Sequence, residues 1–180
     1  MPHSNNPWAG RLTHLGIVVR DIEAAIRMYR DTFAAGPFKR FSLPSDEFIT
    51  FRWRHHFGKP ADDHRYEVAY GNMGSLGIEL FQCIAGDSIP QRFLDQRGEG
   101  VWHYGYDVDD LDATTSWMAQ RGYAIIGGSE HADGTRMAYF DTYASTGVYW
   151  QAHEVHPEST LRTDLGQAPK LLEAAGGDHD

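Results

Sequence analysis

The chain has 180 residues, 41% of them apolar and 13% aromatic, with a formal net charge of −9, enough for one domain or two small modules sharing a core. The acidic balance speaks against a nucleic-acid footprint, which needs a basic face, and against an anionic membrane surface as partner. Cys83 is the single cysteine, so no internal disulfide can form; with no signal-like leader and no apolar run near eighteen residues, a cytoplasmic protein is expected.

Residues 1 to 10 are polar, hold Pro2 and Pro7, and read as a loose N-terminal arm. Residues 12 to 19 alternate as a strand. Asp21 stands where it can cap a helix whose apolar face is Ile22, Ala25, Ile26 and Tyr29, ending near Phe33 before Gly36 and Pro37. A strand is expected over 48 to 53 and a loop over 55 to 63, with His55 and His56 exposed in it. Strands over 65 to 70 and 76 to 83 flank a turn at 72 to 75. Residues 87 to 100 form a linker with a short helix near 91 to 96. The order then starts again: a strand over 101 to 108, Asp110 as cap, and a helix to about 120 stopped by Gly122. A strand over 123 to 126, a turn region through Gly127-Gly128 and Asp133-Gly134, and strands over 136 to 141 and 148 to 154 complete it. Residues 156 to 180 read as a polar C-terminal tail. The expected organisation is thus an arm (1–10), a βαβββ module (11–86), a linker (87–100), a second βαβββ module (101–155) and a tail (156–180).

The second half repeats the first. Arg11-Leu-Thr-His-Leu-Gly-Ile-Val-Val-Arg-Asp-Ile22 lies over Gly100-Val-Trp-His-Tyr-Gly-Tyr-Asp-Val-Asp-Asp-Leu111, so that His14 falls on His103, Gly16 on Gly105, Val19 on Val108 and Asp21 on Asp110. Two copies are too few for a solenoid and point to a pseudo-symmetric unit. Strand parity puts His14 with Gly16, and His103 with Gly105, on one face. The glycine leaves a gap beside each imidazole, which reads as room for a ligand. Two symmetry-related histidines facing one cleft are half of a metal site. The other half is expected from the last strands, Leu76-Gly-Ile-Glu-Leu-Phe-Gln82 and Gly147-Val-Tyr-Trp-Gln-Ala-His153. Helix capping accounts for Asp21 and Asp110, and a solvated strand end accounts for Asp107 as well as a cleft position does.

The His-x-Gly-x-x-Val-x-Asp-Ile/Leu repeat, Ala35-Gly-Pro37 after the first helix, and the Gly-Ile-Glu-Leu strand resemble the vicinal oxygen chelate (glyoxalase/bleomycin resistance/dioxygenase) superfamily, over about residues 11 to 154. Within it they resemble the branch of methylmalonyl-CoA epimerase and glyoxalase I. The resemblance implies an α+β fold in which two paired βαβββ modules form a cup-shaped mixed sheet with helices outside. It also implies one divalent metal held by His14, Glu79, His103 and the residue in the second module's matching slot, Gln151, where relatives usually carry glutamate. Glu154, of opposite strand parity, could replace it only if the strand bulged. With nitrogen and oxygen donors and no sulfur, the metal would be Zn, Ni, Co, Mn or Fe(II). Glutamine in place of glutamate leaves a surplus positive charge and a stronger Lewis acid. The implied chemistry is proton abstraction beside a carbonyl through a metal-stabilised enolate, as in a lyase or isomerase of the epimerase, eliminase or glyoxalase type. The general base would be Glu79, Glu67 on the strand beside it, or Tyr149 or His153 on the face of Gln151. The aromatic content favours a small, partly apolar oxygenated substrate. Two other readings follow from the family: a metal-free protein sequestering an aromatic small molecule, and an Fe(II) extradiol dioxygenase. Family members often pair, so the resemblance allows a homodimer.

Overall fold

The computed structural model describes residues 6–8, 11–44 and 49–161. The first half contains β1 (Leu12–Val18), α1 (Ile22–Phe33), β2 (Lys39–Leu43), β3 (Phe51–His56), β4 (Lys59–Pro60), β5 (Arg65–Met73) and β6 (Leu76–Ala85). After α2 (Ile89–Arg97) come β7 (Gly100–Asp107), α3 (Leu111–Ala119), β8 (Ile125–His131), β9 (Arg136–Phe140), α4 (Tyr143–Thr146) and β10 (Tyr149–Glu154). The strands form one curled mixed sheet in the order β2-β5-β6-β1-β7-β10-β9-β8-β3-β4. The fold is α+β, as expected. The runs β2-β5-β6-β1 and β8-β9-β10-β7 repeat one arrangement, each first strand pairing in parallel with its own last strand. The two runs meet where β1 pairs antiparallel with β7.

Both expected helix caps form. The Asp21 carboxylate accepts from the Ala24 N–H at 3.0 Å, and that of Asp110 from the Ala113 N–H at 2.8 Å. Helix α1 buries Ile22 and Ala25 against Ile17, Ala69, Ile78 and Leu80 on the outer face of the sheet. Helix α3 does the same with Leu111 and Met118 against Ala138, Phe140 and Ala152. Helix α2 packs Ile89, Phe93 and Leu94 against Val18, Phe81 and Trp102, and its Pro90 reaches the cavity inside the cup. Among the described residues no helix is long and apolar enough to cross a membrane.

The expected strand over 48 to 53 needs correction. The strand there is β3, Phe51–His56, and it belongs to the opposite end of the sheet, where it pairs antiparallel with β8. The true second strand of the first module is β2, in Lys39-Arg-Phe-Ser-Leu43, where only Phe41 and Leu43 turn inward from an edge rich in basic residues. His55 and His56 therefore lie in a strand rather than an exposed loop. Gly127 and Gly128 are inside β8, facing His56 and His55, so the Gly-Gly pair makes room for side chains and is not a turn. Of the expected N-terminal arm, Trp8 is seated, edge-on to Tyr106, Phe140 and Trp150 with ring centroids 5.1–5.8 Å away. Residues 162–180 of the expected tail lie outside the described residues.

Because the two caps are equivalent and solvent-facing, Asp110→Ala and Asp21→Ala should each cost about 1 kcal/mol. Urea unfolding with an unchanged m-value and a lowered midpoint is the expected result; an unmoved midpoint in both would contradict the capping role.

Candidate metal centre

The antiparallel register of β1 and β7 sets His14 opposite Gly105 and Gly16 opposite His103. The gap beside each histidine is therefore filled by the imidazole of the other copy, not left for a ligand as strand parity alone suggested. A Cβ added at Gly105 would fall inside the His14 ring, and one at Gly16 inside the His103 ring. Only glycine lets the two rings cross, and their Nε2 atoms come within 3.1 Å. Both rings are buried, His14 at 2% exposure and His103 at 0%.

Irregularities in the pairing refine the arrangement. The register skips Thr13 on β1 and Trp102 on β7, each an extra residue beside its histidine. The Thr13 hydroxyl donates to the Gly105 carbonyl at 2.9 Å and lies 2.9 Å from His14 Nδ1. With the hydroxyl proton so committed, Nδ1 is the donor to Thr13, and His14 Nε2 presents a lone pair to the site. Trp102 packs 4.1 Å from the His103 ring and lines the cavity. Burial first, then the neighbouring His14 and His153, hold His103 neutral by pushing its pKa well below the usual histidine value.

Glu79 comes from β6, level with Gly16 on the strand beside it. Its Oε2 is 3.3 Å from His14 Nε2 and 3.6 Å from His103 Nε2. The three donor atoms form a nearly equilateral triangle whose centre is about 1.9 Å from each, close to the 2.0–2.2 Å at which a divalent ion binds imidazole and carboxylate. Gln151 lies on β10 opposite Gly105 in a regular parallel ladder, at 2% exposure. Its amide abuts His103 and Tyr139, its nitrogen is 3.5 Å from Met137 Sδ, and its Oε1 has no hydrogen-bond partner among the described residues. A buried amide oxygen without a partner, beside three converging donors, fits a fourth ligand. Glu154 faces the other way, accepting from the Leu111 N–H at 2.6 Å and from Arg136 at 2.8 Å, as its parity required.

A family model described as the Glyoxalase/Bleomycin resistance protein/Dioxygenase superfamily matches residues 13–139. The chain belongs to this superfamily. Among curated proteins it is 29% identical to the ethylmalonyl-CoA/methylmalonyl-CoA epimerase of Cereibacter sphaeroides, over 67% of this chain and 78% of that one. It is 28% identical to the mitochondrial methylmalonyl-CoA epimerase of Mus musculus over 58% of this chain, but spans only 49% of that protein's length. The fold matches that of methylmalonyl-CoA epimerase from Mycobacterium tuberculosis with a TM-score of 0.61 at 22% identity, covering 86% of this chain and 93% of that one.

Of the other residues singled out from sequence, His153 lines the cavity, with its ring 5.3 Å from that of His14. Tyr149 does not line it; its ring packs 5.6 Å from Tyr143 near α2 and α4. Glu67 is turned to the outer, helix-bearing side. It accepts from Ser42 Oγ at 2.6 Å and from Arg40, which also pairs with Glu23 of α1. That geometry removes Glu67 from the reach of the centre. Asp107 is buried rather than a solvated strand end.

Sequence reasoning passed over Thr13, Tyr70 and Tyr139, and set His56 in an exposed loop. Tyr70 is opposite Glu79 on β5, and Tyr139 opposite Gln151 on β9; both line the cavity. Burial raises the Tyr139 pKa far above its ordinary value, with the nearby Glu79 adding to it, so the phenol stays protonated. His56 accepts the Ile89 N–H at Nδ1 over 3.2 Å, and burial drives its pKa down to about 3. Strand alternation could have found the tyrosines.

Gly105→Ala should push the His14 ring aside while leaving every donor in the sequence. Titration calorimetry with Co(II) is expected to show at least a tenfold loss of affinity. Unchanged affinity would mean that the crossed rings are not the ligands.

Proposed function

We propose that the chain is an isomerase of the epimerase type, moving a proton at the carbon beside a carbonyl in a small, partly apolar oxygenated substrate. The observation that carries this reading is the convergence of three donors, two of them on fully buried histidines, on one point beside a cavity walled by Tyr66, Tyr70, Phe81, Trp102 and Tyr139. The epimerase names of the relatives support it.

His14, His103 and Glu79 would hold one divalent ion, with Gln151 as fourth donor. When bound, such an ion supplies Lewis-acid stabilisation of negative charge developing on substrate oxygens. The aromatic walls exclude water and so strengthen every electrostatic interaction inside. In the strand order β6-β1-β7-β10, Glu79 and His153 stand on opposite sides of the histidine pair. A carbon lying over that pair can exchange a proton with a group on either side, which inversion of a stereocentre requires. His153 is the better acceptor of the two, since Glu79 is committed to the ligand set. Tyr149, paired in register with His103 but packed against Tyr143 and not among the cavity-lining residues, would not fill this role.

The cavity volume is about 90 Å³, the space of roughly three liquid waters at about 30 Å³ each. That admits an acyl group of a few carbons; any larger carrier attached to it would lie outside the cup. Metal-free sequestration fits less well. Three metal-type donors and the Gln151 amide oxygen gathered at one point are more than an aromatic ligand alone would call for.

The test is exchange of the substrate α-proton in D₂O, followed by NMR across methylmalonyl-CoA, related acyl thioesters and small free oxo acids. Exchange should require metal, and His153→Ala should slow it by about 10²–10⁴-fold with metal content unchanged. Exchange that survives complete metal removal, or none with any compound, would overturn the proposal.

A further inference from the structure

The cavity has a second polar end, and it is built by the strand that the first module sends across to the second. The β3–β8 ladder pairs Arg54 with Ser129 and Phe51 with His131. All four line the cavity. Ser129 is 3% exposed and His131 4%, yet neither Ser129 Oγ nor His131 Nε2 has a hydrogen-bond partner among the described residues. Buried polar atoms almost always find a partner, and each one that does not calls for a missing ligand, water or ion. Two such atoms two residues apart on one strand face, beside an arginine, form a coherent set.

Arg54 completes it. Among the described residues only its Nη2 is engaged, donating to the carbonyls of Ala61 at 2.9 Å and His64 at 3.3 Å. No carboxylate among the described residues lies within ion-pair distance of it. Its guanidinium sits 4.8 Å over the Phe51 ring, and that ring meets His131 edge-on at 4.9 Å. The three side chains are thus packed as one cluster. The backbone anchors fix the arginine while leaving Nη1 and Nε available, the arrangement in which guanidinium binds a planar oxyanion.

We propose that Arg54, Ser129 and His131 form a carboxylate-binding pole, so that the substrate of the proposed isomerase is a small carboxylic acid held at both ends. Its anionic end sits at this pole, and its reacting end lies over His14, Glu79 and His103. The inference rests on the functional reading above for what happens at the reacting end, but not for the binding itself. The rung Ser129–Met137–His153 crosses β8, β9 and β10. It therefore sets the carboxylate about 10 Å along the curved wall from His153, at about 4.8 Å per strand. Met137, between the two polar ends, supplies an adaptable apolar floor. Burial lowers the His131 pKa to about 4. At neutral pH the ring is thus an uncharged hydrogen-bonding group, and Arg54 alone balances one negative charge.

The pole can be tested without metal and without turnover. Chelator-stripped protein is titrated with pentanoate and with pentanamide, by ligand-observed NMR and calorimetry. Pentanoate should bind saturably and at least tenfold more tightly than the amide. Arg54→Met should remove that preference, Arg54→Lys should restore part of it, and Ser129→Ala should weaken pentanoate binding at least threefold. Because Arg54 also anchors the 61–64 backbone, its variants are read only if their circular dichroism melts match wild type; otherwise Ser129→Ala decides. No pentanoate binding to wild type, equal binding of acid and amide, or affinities unchanged by these variants would overturn the carboxylate pole. Failure of α-proton exchange in the metal-loaded protein is a separate result, since none of these titrations involves the metal.

Discussion

The structure depends on one close approach: two imidazoles crossing over each other's glycine at the antiparallel β1–β7 seam. The seam joins the two halves of the sheet and brings the ring nitrogens to 3.1 Å. Its tolerance is small, since a single methyl at Gly16 or Gly105 would occupy the opposite ring. Everything else at the centre is placed relative to it. Each half's last strand lies parallel beside its first, which puts Glu79 on one flank of the pair and Gln151 on the other. The Thr13 hydroxyl, pinned to the Gly105 carbonyl, then fixes which nitrogen of His14 faces inward.

The two halves are not chemically equal, and their differences give the cavity a direction. The first half contributes a carboxylate, Glu79, where the second contributes a neutral amide, Gln151. The first half also carries β3 and β4, a hairpin with no counterpart in the second. Packed onto β8, it extends the sheet and adds Arg54 and His56 to the cavity wall. A symmetric cup would offer a ligand two equivalent ends. Here one end gathers metal-type donors and the other a cation beside hydrogen-bonding groups that have no partner among the described residues.

Much of the centre was legible in the sequence because it is local and repeated. The His-x-Gly spacing, the aspartate caps and the Gly-Ile-Glu-Leu strand each sit within a few residues, and pseudo-symmetry doubled the signal. The parity argument that set Gln151 above Glu154 held because β10 pairs regularly with β7. What strand parity could not show was the partner across the seam: a glycine reads as space beside its own histidine until the register puts another histidine there. The second polar end was illegible for a similar reason. Arg54 and Ser129 are far apart in the chain and meet only because β3 crosses to the far edge. Gly127-Gly128, which gives β8 room beneath His56 and His55, looks like turn chemistry in isolation. Glu67 misled in the opposite sense. It neighbours Glu79's strand, but Arg40 and Ser42 hold it on the outer side.

The most direct measurement is the metal content of protein purified without chelator, compared with that of Glu79→Ala and His103→Ala, all three then incubated with Ni, Co, Mn or Zn and desalted. About one divalent ion per chain in the wild type, and little in either variant with the fold retained, is the expected result. A wild-type protein that holds no ion after every incubation would contradict the metal centre, and with it the reading of the crossed histidines as ligands.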